Sequence, residues 1–278
     1  MSGKLQCCGR VLDLSAPKVM GILNVTPDSF SDGGNFFSSA NAIDHAATMI
    51  AEGAAIIDVG GESTRPNAQP VSLEEELNRV IPPIEAIRRR FDVLISIDTS
   101  KPKVMQAAIQ AGAEMVNDVR ALQAPGALDV VQQTGAATCL MHMQGEPTNM
   151  QQHAAYEDVV KCVLGFLQQR VDDCLAYGIS RHQILIDPGF GFGKTLNHNC
   201  TLLGKLSTFN NIGLPVLVGL SRKSMIGAII GEAEATHRIY GSVAAAVIAL
   251  NQGASILRVH DVKATVDAVN VFSATKQG

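Results

Sequence analysis

Eight short apolar runs, each bounded by turn residues and each followed by a stretch with helical spacing, constrain this chain more than any other feature. The runs fall at 19–24, 55–60, 93–98, 114–118, 137–142, 184–187, 215–219 and 255–260 and read as β-strands. Between them, Ser72 and Glu75 have the spacing of a helix capping box, and a Val/Leu stripe over 156–177 has helical period. Gly53, Gly112, Gly135, Gly178 and Gly253 each stand just before a strand, where helix C-caps belong. Eight strand–helix units in 278 residues give about 35 residues per unit, the size of a (β/α)8 barrel unit. A doubly wound open sheet fits the alternation too, but it usually stops at about five or six strands. No Pro/Gly/Ser-rich linker divides the chain, so residues 1–278 read as one α/β barrel domain.

Charge and cysteine usage exclude several partners. With 22 Lys+Arg against 26 Asp+Glu, the net charge is −4, which argues against a broad polyanion-binding face, and nucleic acid is not expected as a partner. The six cysteines form no C-x-x-C pair and no metal-like rhythm, which points to reduced thiols and a cytoplasmic setting. The first ten residues carry no uninterrupted apolar stretch, so no signal segment is expected. The uncharged region that starts near 239 is broken by Asn251 and Gln252 and reads as a helix and then a strand, so no membrane association is expected.

In a parallel barrel all strand C-termini open at one mouth, where such folds keep their chemistry. At or just past those ends stand Asn24, Asp58 with Glu62 and Arg65, Asp98, Asn117 and Asp118, His142, Asp187, Arg258 and His260. After the seventh run comes Ser221-Arg222-Lys223-Ser224. Asp98, Asn117 and Asp187 suit a planar ligand edge with several N–H donors, such as an amino-pyrimidinone ring, held by charge-assisted hydrogen bonds. Asp58 and Asp118 are better explained by helix capping or an internal salt bridge. Arg65, Arg222, Lys223, Arg258 and His260 imply an anionic group, with phosphate the usual partner of guanidinium forks. No His-x-x-His spacing supports zinc, which leaves a hard ion such as Mg²⁺ as the expected metal.

The glycine-rich stretch 187–194 fails both nucleotide-loop patterns, because Pro188 and Lys194 stand where those patterns need glycine, or glycine or alanine. It reads as a flexible mouth loop with Phe190 and Phe192 free to cover a flat ligand. His142 reads as a hydrogen-bonded wall residue. Two long polar loops, after the first and second strands, suit lids that order around substrate.

Five stretches together resemble the bacterial dihydropteroate synthases: ILNVTPDSFSDG at 22–33, GAAIIDVGGESTRP at 53–66, DPGFGFGK at 187–194, SRKSM at 221–225 and RVH at 258–260. The resemblance spans essentially the whole chain. It implies a transferase of folate biosynthesis and sulfonamide target that joins 6-hydroxymethyl-7,8-dihydropterin diphosphate to 4-aminobenzoate, releasing diphosphate, with Mg²⁺ as cofactor. By the same resemblance Asp98, Asn117, Asp187 and Lys223 hold the pterin edge, and Met141, Phe192 and Arg258 pack on its ring. Asn24, Arg65, Arg258 and His260 grip the diphosphate, with Asn24 on the metal. Phe30, Thr64, Pro66, Phe192, Lys223 and Ser224 line the aminobenzoate site, and Asp98, Lys223, Arg258 and His260 carry the catalysis. A homodimer formed through late helices is implied as well. Arg258→Ala and Asp98→Asn are each expected to lower turnover by orders of magnitude while leaving the fold intact. Two alternatives stay open: a pterin-dependent methyltransferase on the same barrel, and a pterin-binding protein without turnover. Neither has a use for a diphosphate grip.

Overall fold

A computed structural model describes residues 3–25, 35–63, 69–145, 150 and 154–276. A hairpin comes first, β1 (Lys4–Cys7) and β2 (Arg10–Asp13), followed by β3 (Lys18–Asn24), β4 (Ile56–Gly60), β5 (Leu94–Asp98) and β6 (Met115–Asp118). Then come β7 (Ala137–Met141), β8 (Ile184–Asp187), β9 (Leu217–Val218) and β10 (Ile256–Val259). The last eight strands form one parallel sheet in the order β8-β7-β6-β5-β4-β3-β10-β9, and a parallel bridge between Ile186 and Val216 joins its two edges. This is the (β/α)8 barrel that the alternation predicts, with every strand end within one residue of its sequence-based position except at β9, which is shorter.

A helix follows each barrel strand. These are α1 (Asn35–Ala51), α2 (Leu73–Arg90), α3 (Pro102–Gln110), α4 (Ala127–Thr134), α5 (Val159–Ala176) and α6 (Leu196–Gly204), then α7 (Ser224–Ile230) with α8 (Ile239–Asn251), and α9 (Val262–Lys276). Ser72 caps α2 by accepting from the Glu75 N–H at 3.2 Å, but the Glu75 carboxylate turns to Arg79, so only half of the expected capping box forms. The five glycines expected as C-caps all have positive φ. None of the described helices is long and apolar enough to cross a membrane.

Alternation along the strands sorts their side chains into two cores. Outward residues such as Leu23, Ile57, Val59, Ile95 and Ile97 pack under the helices. Inward residues Met20, Ile56, Leu94, Met115, Leu185, Leu217 and Ile256 fill the lower half of the barrel. The β1–β2 hairpin, which the sequence reading did not anticipate, closes the bottom by burying Leu5 and Cys7 against that inner cluster. Its turn places Cys8 and Gly9 at φ 48 and 84, the left-handed pair that a tight two-residue hairpin requires. The hairpin thus covers the bottom of the barrel, and the polar strand ends lie at the opposite, C-terminal mouth.

Candidate active site

The same inward parity continues up the barrel and turns polar. Asn24 pairs in register with Gly60, Gly60 with Asp98, and Asp98 with Asn117, which sets these positions side by side at the ends of β3 to β6. One step lower, Asp58 pairs with Ser96. Gly60 keeps this rim open: a Cβ there would lie 3.7 Å from both the Asn24 Oδ1 and the Asp98 Oδ2.

Arg258 reaches in from β10 and joins the acids. Its Nε donates to the Asp58 Oδ2 at 2.6 Å, and its Nη2 donates to the Asp98 Oδ2 at 2.6 Å. Asn117 Nδ2 donates to the same Asp58 oxygen at 3.1 Å. Asp58 is 0% exposed, and its Oδ1, like the Ser96 Oγ, has no partner. The two chemical classes read from sequence, acids for a heterocycle and cations for an anion, therefore interlock in one buried network. Burial pushes the Asp98 carboxyl up to about 7 against the pull of Arg258, and it raises Asp187 as well. Burial opposes the charge on Arg258, yet Asp58 and Asp98 hold its guanidinium protonated more firmly than usual. Burial also pushes the Lys223 amine down to about 8, against the attraction of Asp187.

The 187–194 stretch is a pinned turn, not a loose loop. Asp187 Oδ1 accepts from the Gly189 N–H at 2.7 Å. Lys194, buried, donates to the Gly189 carbonyl of this turn at 2.8 Å, and burial pushes its amine down to about 7. Phe190 does not face the mouth as expected; it is fully buried in the outer core. Phe192 stays partly exposed, with Lys223 Nζ 4.4 Å from its ring centre and that amine donating to the Phe190 carbonyl. Gly189 has φ +70, and a Cβ on it would lie 1.9 Å from the His142 carbonyl oxygen. Gly189→Ala should therefore destabilise the fold by about 3 kcal/mol or more. Urea unfolding checks this, and a loss below about 1 kcal/mol would show that the turn tolerates a Cβ.

Within this geometry the decisive comparison is a match to the pterin binding enzyme family over residues 20–260. The chain belongs to the dihydropteroate synthase family of pterin-binding enzymes. It is 55% identical over 272 residues to the dihydropteroate synthase of Escherichia coli (strain K12), covering 98% of this chain and 96% of that one. Among solved structures, Yersinia pestis dihydropteroate synthase in a sulfonamide drug complex superposes with a TM-score of 0.94 at 52% identity, covering 99% and 100% of the two chains. Xanthomonas albilineans dihydropteroate synthase with 4-aminobenzoic acid gives 0.95 at 48% identity, covering 100% of both.

Of the residues that the family resemblance singled out, Asn24, Asp98, Asn117, Met141, Asp187 and Arg258 lie on barrel strands at or near the mouth. His260 follows β10, and its N–H and Nδ1 both lie 3.1 Å from the Ser221 Oγ. Lys223 is the N-cap residue of α7 and Ser224 its first residue. Phe30, Thr64, Arg65 and Pro66 lie outside the described residues. Arg222 does not join the cationic group: its Nε and Nη2 fork onto Asp261 at 2.9 and 2.5 Å, which commits it to a structural pair. Asp118 is also structural, accepting from Ser100, Arg120 N and Leu122 N. Asp58 does form the expected internal salt bridge, but with Arg258 itself, which makes it part of the site.

Lys194 and Ser221 were missed as partners of the site. Nothing in the spacing marks Ser221 beyond its place after a strand. Lys194 could have been found as a lone lysine closing a run of glycines that leaves the barrel core.

Proposed function

We propose that this chain condenses 6-hydroxymethyl-7,8-dihydropterin diphosphate with 4-aminobenzoate to give 7,8-dihydropteroate and diphosphate. The observation that carries the reading is the buried Arg258 network, which sets acids for a heterocycle edge beside a cation for the departing group. Asp98, Asn117 and Asp187 would accept from and donate to the pterin edge, with Met141, Phe192 and Arg258 against its ring. Arg65, Arg258 and His260 would hold the diphosphate. Phe30, Thr64, Pro66, Phe192, Lys223 and Ser224 would line the aminobenzoate site.

The described residues contain no cluster of three His, Cys, Asp or Glu able to hold a metal. Mg²⁺ needs few protein oxygens when substrate phosphates supply the rest, and the Asn24 amide oxygen at the open Gly60 rim is a donor of that kind. Asn24 would hold that ion, which supplies charge neutralisation on the diphosphate. The chain's own part is to fix the pterin methylene between the carboxylates and the cations. The bond from methylene carbon to diphosphate oxygen breaks with its electron pair leaving on the diphosphate, where Arg258 and His260 meet the developing charge. The carboxylates stabilise the methylene cation. The uncharged aromatic amine then forms the C–N bond with its lone pair and gives up one proton to solvent, so no strong base is required.

One barrel domain carries all of this in the cytoplasm, a setting consistent with six unpaired cysteines. We further assign a homodimer through the late helices: Ile229, Ile230, Tyr240 and Ile248 leave large apolar side chains exposed on α7 and α8, with Tyr240 89% exposed.

Mixing the purified chain with the pterin diphosphate, Mg²⁺ and 4-aminobenzoate should release diphosphate at a rate that depends on the aminobenzoate. Binding of the pterin without release would favour a binding protein, and indifference to 4-aminobenzoate would favour another pterin-dependent transferase.

A further inference from the structure

Lys194 is a buried titratable group that the proposed chemistry leaves unused. Its Nζ lies 2.8 Å from the Gly189 carbonyl oxygen, 3.0 Å from that of Phe192, 3.3 Å from that of His142 and 3.0 Å from the His142 Nδ1. Among the described residues no carboxylate forms an ion pair with it, although Asp187 stands near enough to attract its charge. An ammonium has three protons, and here they serve four acceptors, three of them backbone carbonyls. His142 can accept because burial, reinforced by the Lys194 charge, pushes its imidazole down to about 3 and keeps it neutral. A lysine committed to carbonyls in place of an acid shapes the backbone around it.

The carbonyls it gathers come from two loops, the end of β7 and the turn after β8. The contact between those loops is tight, since a Cβ on Gly193 would lie 2.5 Å from the Gln144 carbonyl oxygen. Tyr156 adds a second tie by donating from its hydroxyl to the Gly193 carbonyl at 3.1 Å. Phe166 stands edge-on to the His142 ring at 5.0 Å. On its other side the turn presents two groups to the mouth: the Phe190 carbonyl that receives Lys223, and the Phe192 ring beneath the Lys223 amine.

We propose that Lys194 is a positioning residue that draws the 189–193 turn onto His142 and thereby sets where Phe192 and Lys223 meet the flat ring of a pterin. This rests on the dihydropteroate synthase reading of the mouth. Diphosphate contacts from Arg258 and His260 arise on β10 and the residue after it, outside the pinned turn.

Lys194→Met keeps an unbranched side chain one heavy atom shorter and removes its donors. Calorimetric titration with 6-hydroxymethylpterin and, separately, with inorganic diphosphate and Mg²⁺ should show pterin binding weakened about tenfold and diphosphate binding within about twofold of the unaltered chain. Tyr156→Phe leaves the buried amine in place and should weaken pterin binding about threefold, again sparing diphosphate. It decides the matter should Lys194→Met not fold. Unchanged pterin affinity in the folded variants, or equal weakening of both ligands, overturns the positioning role. Failure of the unaltered chain to bind pterin overturns the proposed function, and this role with it.

Discussion

Arg258→Ala should lose both turnover and fold stability, in contrast to the expectation from sequence that the fold would stay intact. Removing the guanidinium leaves Asp58, wholly inaccessible to water, and Asp98, almost so, without the cation that both share at 2.6 Å. Breaking a buried ion pair from one side strands an uncompensated charge, at a cost of about 3–5 kcal/mol. In a chain of this length that lowers the melting temperature by on the order of 10 °C. On the proposed reading turnover should fall about a thousandfold, roughly 4 kcal/mol of transition-state stabilisation, because the leaving diphosphate would lose its guanidinium. Arg258→Lys separates the two effects. One ammonium can neutralise the acids but cannot fork to both while gripping phosphate, so it should recover most of the stability and little of the rate. Urea unfolding and steady-state kinetics on both variants check this, and an Arg258→Ala protein as stable as the parent would mean that the acids do not depend on Arg258.

The barrel was legible because apolar runs and helical stretches alternate eight times, and a parallel sheet demands that alternation. The mouth was legible because polar residues cluster at strand ends. What stayed hidden has identifiable causes. Asp58 and Arg258 are separated by 200 positions, and only closure of the sheet through the β3–β10 pairing brings them together. Phe190 and Phe192 stand in one glycine-rich loop, and nothing in the sequence separates the ring that covers a ligand from the ring that packs inward. Gly189, Gly191 and Gly193 all have positive φ, so the chain coils there, sending one ring into the core and the other to the mouth. Arg222 belonged to the cationic group by position alone. Its backbone, at φ 59, aims the side chain at Asp261, and no local pattern announces that. The β1–β2 hairpin is too short, with one left-handed Cys8 in its turn, to stand out from an ordinary leader.

The interlocked network also changes what substrate binding requires. Arg258 occupies the Oδ2 of Asp98 in the structure, so on the proposed reading a pterin edge would share that carboxylate with the guanidinium, and diphosphate would compete with both acids for Arg258. Binding of the heterocycle and of its anionic tail would then be coupled through one side chain. A ligand that supplies both ends satisfies every partner at once, whereas either half alone leaves some buried charge less well paired.

Asp98→Asn isolates the acid side of that coupling. The Asn oxygen can still accept from the Arg258 Nη2, so the fold should lose little stability. Its amide N–H group would instead confront the donors of the pterin edge, leaving buried donors unpaired and the methylene cation without its carboxylate. We expect kcat/KM to fall about a thousandfold. The pH dependence gives an independent reading. Burial raises the Asp98 carboxyl to about 7, well above its ordinary 3.8. The parent should therefore lose kcat/KM as the pH falls through about 7 and the carboxylate is protonated, and the Asn variant should lack that limb. For stability the sign is opposite. A carboxyl whose folded value is raised contributes stability that is fully present below its ordinary value and is lost as the pH rises through about 7. The parent should thus gain least over the variant at neutral pH and most near pH 4. Denaturant unfolding and kcat/KM measured across that range test both statements, and an Asn variant that keeps the acid limb would assign it to another group and remove Asp98 from the pterin edge.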